Sequence, residues 1–183
     1  MPVRQWIRIL GIVLLAAGFG AGVVSAQDGH AFTASLAGGF AGAFDLDADR
    51  DFEHPVVQVG FGMYTDHRTL TVVRVGRFAF DSRQGFGGLV DAEVDYVNVA
   101  GEYRFRQAAY DFGLFVGVGG YRLDGVGGAG REEQTVLGAA IGFTGDFDLT
   151  RRLSFIAEID LHYAFFDDTN FYGAALAGLA LHF

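Results

Sequence analysis

Phe171-Tyr-Gly-Ala-Ala-Leu-Ala-Gly-Leu-Ala-Leu-His-Phe183 closes the chain. Every second residue back from its end is apolar: Phe183, Leu181, Leu179, Ala177 and Ala175. That alternation is the signature of a strand with one apolar face. In water, a long apolar strand with an open edge invites aggregation. In the wall of a closed barrel facing lipid it is an ordinary element. The question for the rest of the sequence is whether it supplies the other strands such a wall needs.

The same period of two recurs. In 153–165, Leu153, Phe155, Ala157, Ile159, Leu161, Tyr163 and Phe165 alternate with Ser154, Ile156, Glu158, Asp160, His162 and Ala164. Segment 110–123 sets Tyr110, Phe112, Leu114, Val116 and Val118 against Asp111, Gly113, Phe115, Gly117, Gly119 and Tyr121. Segments 134–147 and 31–44 repeat the theme, and strands are also expected over 55–65, 69–80 and 92–105, making eight with the terminal one. In 69–80, Thr71, Val73 and Val75 share one parity and Phe78 and Phe80 the other, with Arg74 and Arg77 between. A β-bulge near Val75–Arg77 is expected to keep the outer face apolar and Arg74 inside. An arginine facing lipid at the midplane would cost about 2–4 kcal/mol.

The connections alternate in length. Asp66–Arg68, Arg106–Ala108 and Thr150–Arg152 are short, whereas 45–54, 81–91 and 124–133 are long and, with 167–170, rich in acid or glycine. Short periplasmic turns and longer external loops are the habit of outer-membrane barrels. The fold expected is all-β, an eight-stranded antiparallel up-and-down transmembrane barrel. A soluble barrel would place its apolar face inward. Here the charged face also carries Gly113, Gly117, Gly119, Gly138, Ala140 and Gly142, small enough for a narrow interior.

Residues 1–26 read as a cleaved signal peptide. Arg4 and Arg8 are followed by the uncharged run Ile9–Val24 and the small-residue site Val24-Ser25-Ala26. That run is shorter than the ~20 residues a spanning helix needs. The barrel domain is then 27–183. Removing two arginines takes the net charge from −9 to −11, which disfavours nucleic acid as a partner. The chain has no cysteine and therefore no disulfide framework or lipid-anchored cysteine.

The interior is expected to hold Arg74, Glu102, Arg104, Asp111, Glu158, Asp160 and His162, since buried charges persist only when paired. A tight turn centred between Gln107 and Ala108 would put Arg104 directly across from Asp111 in a salt bridge. Arg74 is expected to meet Glu102, Glu158 or both.

The chain resembles the small porin-like class of bacterial outer-membrane barrels, with its OmpA-, OmpX- and OmpW-type members. Similarity is greatest over 142–183, where Leu149-Thr150-Arg151-Arg152-Leu153-Ser154-Phe155 and Glu158 follow the family's penultimate hairpin. The resemblance implies residence in the cell outer membrane, among lipid and lipopolysaccharide. It gives Phe183, with Leu179 and Leu181, the role of a signal read by the barrel-assembly machinery. The chain is expected to be a monomer.

No catalytic, cofactor or metal site is expected. A lipid A deacylase of this size would need serine, histidine and carboxylate together. Position 164, two after His162, is alanine, and Ser154 is eight residues or ~26 Å down the strand. His182 lies near the other end. The acidic stretch Asp45–Glu53 begins like a calcium loop but has Arg50 at the glycine position and Val56 at the bidentate glutamate position. Divalent cations shared with lipopolysaccharide remain a looser role for it. Gly87-Gly88 and Gly127-Gly128 lack the following helix of a phosphate cradle. A structural or surface-interaction barrel is the leading function, with a narrow solute channel and a lipid A-modifying enzyme as alternatives.

Overall fold

The computed structural model describes residues 31–43, 54–80, 89–106, 110–127, 130–167 and 171–183. The expected signal peptide, 1–26, and the acidic segment 45–53 therefore lie outside the described residues.

The described chain is all β. Its strands are β1 (Phe32–Ala43), β2 (His54–Tyr64), β3 (Thr69–Phe80), β4 (Leu89–Arg106), β5 (Tyr110–Gly127), β6 (Gly130–Asp148), β7 (Leu153–Ala164) and β8 (Phe171–His182). Each pairs antiparallel with its sequence neighbours, and β8 pairs with β1, for example Leu36 opposite Leu179, to close the barrel. Closure leaves the apolar terminal strand no free edge within the wall.

Two of the short turns are built alike. Asp66 Oδ1 accepts from the amides of Arg68 (2.7 Å) and Thr69 (2.9 Å). Thr150 Oγ1 accepts from those of Arg152 (3.2 Å) and Leu153 (3.0 Å). A short acceptor side chain thus satisfies the amides that a tight reversal leaves without a ladder partner.

The outer wall is an apolar band. Val57, Val59, Phe61, Val116, Val118, Ile141, Phe143 and Ile159 are all exposed. On β7 the outward apolar row runs from Leu153 to Phe165, about 40 Å of strand or about 30 Å of height at a tilt near 40°. Aromatic rings gather at its rims. Phe32 stacks on Phe61 (5.9 Å) and Phe183 (6.1 Å) at the short-turn end. Tyr163 meets Phe171 (4.6 Å) and Phe165 (5.0 Å) at the other.

On β3 to β6 the apolar row stops short of the strand ends. Val75, Val97, Gly120 and Leu137 are neighbours in register. The next outward residues, Arg77, Asp95, Arg122 and Thr135, form the following row. Above it the inward residues turn apolar, with Phe78, Phe80, Val94, Tyr96, Tyr121 and Leu123 all buried. The two faces exchange character where the sheet leaves the hydrocarbon.

That exchange corrects two expectations. No bulge interrupts β3, whose pairing is continuous from Leu70 to Phe78 with β2 and from Thr69 to Phe80 with β4. Phe78 and Phe80 face inward because the upper interior is apolar. Arg77 faces outward, where it meets Asp95 (2.6 Å) and Glu93 (3.0 Å). The second correction concerns length. β4, β5 and β6 have 18, 18 and 19 residues against 11 or 12 in the other strands. Most of the expected 124–133 loop is paired strand, with Asp124 opposite Glu133, so these strands rise above the barrel as a sheet.

Candidate functional site: the barrel interior and the raised sheet

The interior is layered. Its middle is an ion-pair cluster anchored on Arg74, five residues above the start of β3. Arg74 Nη2 lies 3.0 Å from Glu102 and 3.3 Å from Glu158, and all three are 5% exposed or less. The guanidinium also covers the Phe115 ring, 4.0 Å from its centroid, a cation–π contact. Gln58 donates to Glu158 (3.1 Å) and accepts from the Tyr96 hydroxyl (2.7 Å). Glu102 accepts further from Arg104 Nε (2.9 Å) and Thr144 (3.0 Å). The Arg74 and Arg104 groups are thus one connected network.

Arg104 departs from expectation in its main partner. The β4–β5 register places it opposite Gly113, with Asp111 opposite Arg106. The hairpin is centred one residue later than Gln107/Ala108, which displaces every partner by two. Arg104 Nη1 still lies 3.9 Å diagonally from Asp111, but its close partner is Asp146 on β6 at 2.8 Å. Asp146, Gln58, Asn98 and Thr144 were not singled out in the sequence. Asp146 shares the inward parity of Gly138, Ala140 and Gly142, and Asn98 that of Glu102 and Arg104, so parity alone identifies both.

Asp160 and His162 occupy the layer above. His162 Nε2 lies 3.3 Å from Asp160, and Nδ1 is 2.8 Å from the Tyr121 hydroxyl. Rings surround the imidazole: Tyr96 at 4.8 Å, Phe78 at 5.2 Å and Tyr121 at 5.8 Å. They begin an aromatic plug that continues through Tyr172, Phe80 and Phe166 toward the long-loop end. Inward glycines make room for it. A Cβ on Gly138 would stand 2.6 Å from the Tyr121 ring, and one on Gly76 would collide with the Tyr96 ring and hydroxyl. Below Arg74, by contrast, lies a cavity of about 40 Å³ lined by Ser35, Glu102, Arg104, Asp146 and Glu158 among others.

Ser154 and His182 meet at the short-turn end, Oγ to Nε2 at 2.8 Å, with Asp146 Oδ2 3.7 Å from the same nitrogen. A nucleophile relay needs the carboxylate on the other imidazole nitrogen. Ser154 is also fully buried. In this contact the hydroxyl and the carboxylate approach the same imidazole nitrogen, and the cluster is remote from Asp160 and His162. Among the described residues, no group of three or more His, Cys, Asp or Glu is placed to hold a metal ion.

The raised sheet carries the outer charges. Arg77 binds Asp95 and Glu93; Arg122 binds Glu133 (3.1 Å) and Asp124 (3.5 Å); Arg131 Nε donates to Asp124 (2.9 Å). Its carboxylates Asp91, Glu93, Asp95, Asp124, Glu132 and Glu133 outnumber these three arginines. The Arg131 guanidinium holds the Asp124 carboxyl below the usual carboxylate range. Beyond Gly138, where pairing to β7 ends, Gln134 exchanges side-chain and backbone contacts with Asp167. Leu179, Leu181 and Phe183 face outward near the short-turn rim, each about half exposed.

No family description matches the sequence, and no curated protein matches it. The fold has clear counterparts among solved structures. Neisserial surface protein A (NspA) superposes with a TM-score of 0.69 at 14% identity, over 83% of this chain and 97% of that one. The N-terminal β-barrel domain of Pseudomonas aeruginosa OprF gives 0.58 at 11% identity, over 82% and 97%. Ail, the attachment invasion locus protein of Yersinia pestis, gives 0.55 at 15% identity, over 82% and 98%. The chain thus has the fold of the small eight-stranded outer-membrane barrels.

Proposed function

We propose that this chain is an outer-membrane barrel with no open pore, whose role is structural or surface-interacting and is exercised through its raised sheet. The aromatic plug carries the reading. Phe78, Tyr96, Tyr121, Tyr172 and Phe166 pack the upper interior above the Arg74 ion pairs, which argues against a continuous aqueous path. Eight strands enclose only enough space for side chains. The apolar band takes outer-membrane lipid as its surroundings. The charged row that begins at Arg77 and Asp95 meets the lipopolysaccharide headgroups. Leu179, Leu181 and Phe183 are the residues the assembly machinery would read, and the closed wall suits a monomer.

The neighbour Ail has been crystallised with a heparin analogue, sucrose octasulfate. The sheet here is built for a different partner, because its arginines are already bound to carboxylates and acids are in excess. A cationic segment suits it better than a sulfated polyanion.

Single-channel recording in planar bilayers tests the pore-less reading. Purified, folded chain is expected to give no conductance steps. Steady conductance from the unmodified protein would overturn it.

A further inference from the structure

Four inward residues meet just above the Arg74 ion pairs and leave polar atoms without a protein partner. Asn98 is directly opposite Arg74 in the β3–β4 register and is fully buried; it lies beside the Tyr121 hydroxyl, but neither amide atom makes a well-aligned hydrogen bond. Arg74 uses Nη2 on the glutamates, and its buried Nη1 has no acceptor. Asp160, two residues above Glu158 on the same face of β7, is 4% exposed and accepts no hydrogen bond on either oxygen. His162 Nε2 approaches Asp160 but is misaligned for a bond to it. Six of the seven buried side-chain polar atoms without partners, among the described residues, belong to these four side chains.

Such atoms are rare in folded proteins because each carries a desolvation cost. Their chemistry specifies what would satisfy them. Arg74 Nη1 and Asn98 Nδ2 are donors; both Asp160 oxygens and Asn98 Oδ1 are acceptors. A bare cation would serve the acceptors and be repelled by Arg74. An anion would serve the donors and be repelled by Asp160. Water does both, and typically makes about three hydrogen bonds at such a site. The cavity directly beneath Arg74, at about 40 Å³, has room for about three waters at ~10–15 Å³ each.

We infer that Arg74, Asn98, Asp160 and His162 bound a buried hydration site that extends the lower cavity to the base of the aromatic plug. The barrel is then wet from the short-turn end as far as His162 and dry above it. This rests on the plug described under the proposed function but makes a separate claim about the layer below.

Water-to-side-chain magnetisation transfer on the full chain in phospholipid nanodiscs tests it. The Asn98 side-chain amide and the His162 ring are expected to show cross-peaks from water, whereas the Phe80 and Tyr172 rings show none. Absence of both Asn98 and His162 cross-peaks overturns the inference. Exchanging sodium for N-methylglucamine is expected to leave the Asn98 and Asp160 shifts in place; a shift would identify a small cation as the occupant and also overturn it. If Asn98 and His162 are dry and the barrel does not conduct, only the hydration site fails. If Phe80 and Tyr172 are wet and the barrel conducts, the pore-less reading fails with it.

Discussion

Replacing Arg74 with leucine removes the cation that two buried carboxylates share, and the loss falls unequally on them. Glu102 keeps Arg104 at 2.9 Å and Thr144 at 3.0 Å. Glu158 keeps only the Gln58 amide at 3.1 Å. Removing one partner of a buried ion pair costs about 3–5 kcal/mol, most of it the burden of the uncompensated charge left behind. Arg74→Leu is therefore expected to destabilise the barrel by about 3–5 kcal/mol, with Glu158 responsible for most of the loss. This holds although Glu102 is the nearer of the two.

A double-mutant cycle separates the two contributions. Arg74→Leu with Glu158→Gln is expected to regain more than half of the lost stability, because the unpaired charge is gone and an amide remains for Gln58. Arg74→Leu with Glu102→Gln is expected to regain little, because Glu158 stays uncompensated and Arg104, though it keeps Asp146, loses the Glu102 charge. The measurement is reversible urea unfolding in lipid vesicles, read by tryptophan-independent far-UV signal and by the gel mobility of the folded barrel. The reasoning is wrong if Arg74→Leu costs less than about 1 kcal/mol, below the range for a broken buried pair. It is also wrong if Glu102→Gln is the better rescue.

Two further predictions follow from local geometry. Gly76→Ala puts a methyl against the Tyr96 ring and is expected to cost about 1–3 kcal/mol; Gly101→Ala, where a Cβ meets nothing within 4 Å, is expected to cost less than about 0.5 kcal/mol by the same unfolding assay. Asp66 is held below its ordinary pKa by the Arg68 amide first and the Thr69 contacts next. A carboxyl depressed on folding lends stability above its unfolded pKa and loses it as pH falls through the folded one. The β2–β3 turn is therefore expected to loosen only below about pH 4. The Arg68 and Thr69 amide shifts should titrate with a midpoint below 3.8; a midpoint at or above that value contradicts the turn geometry.

Side-chain parity was readable from sequence wherever a strand lies within lipid. Leu153 to Phe165 and Tyr110 to Val118 announce their outward rows directly, and the inward positions of Arg74, Glu102, Arg104, Glu158, Asp160 and His162 follow. Partner identity was readable only in part: Arg74 meets both glutamates as expected, whereas the close partner of Arg104 is Asp146. The Arg104 error is one residue in the placing of a hairpin centre, which changes every partner by two yet leaves each side chain on its expected face. Parity survives a slip of two, whereas the Arg104–Asp111 pair is stretched to a diagonal 3.9 Å and Asp146 becomes the closer partner. The Ser154–His182 contact was hidden for a different reason, since it needs the alignment of β7 with β8 that no local pattern contains.

The harder failure, at β3, has a single physical source. A strand confined to the bilayer keeps one face apolar throughout, and that assumption demanded a bulge to reconcile Val75 with Phe78. β3 to β6 pass from hydrocarbon into water partway along, and the demands on the two faces then reverse. Outside the bilayer, apolar residues belong within the barrel and charges on its exterior, as in a soluble sheet. The reversal occurs between 75 and 77, 97 and 95, 120 and 122, and 137 and 135, positions that form adjacent rows in the register. The outward face of four strands turning polar along one line, with the inward face of β3, β4 and β5 turning apolar above it, cannot be four separate bulges. The apparent break in the β3 pattern therefore marks the membrane boundary, and the charged row above it marks where the raised sheet begins.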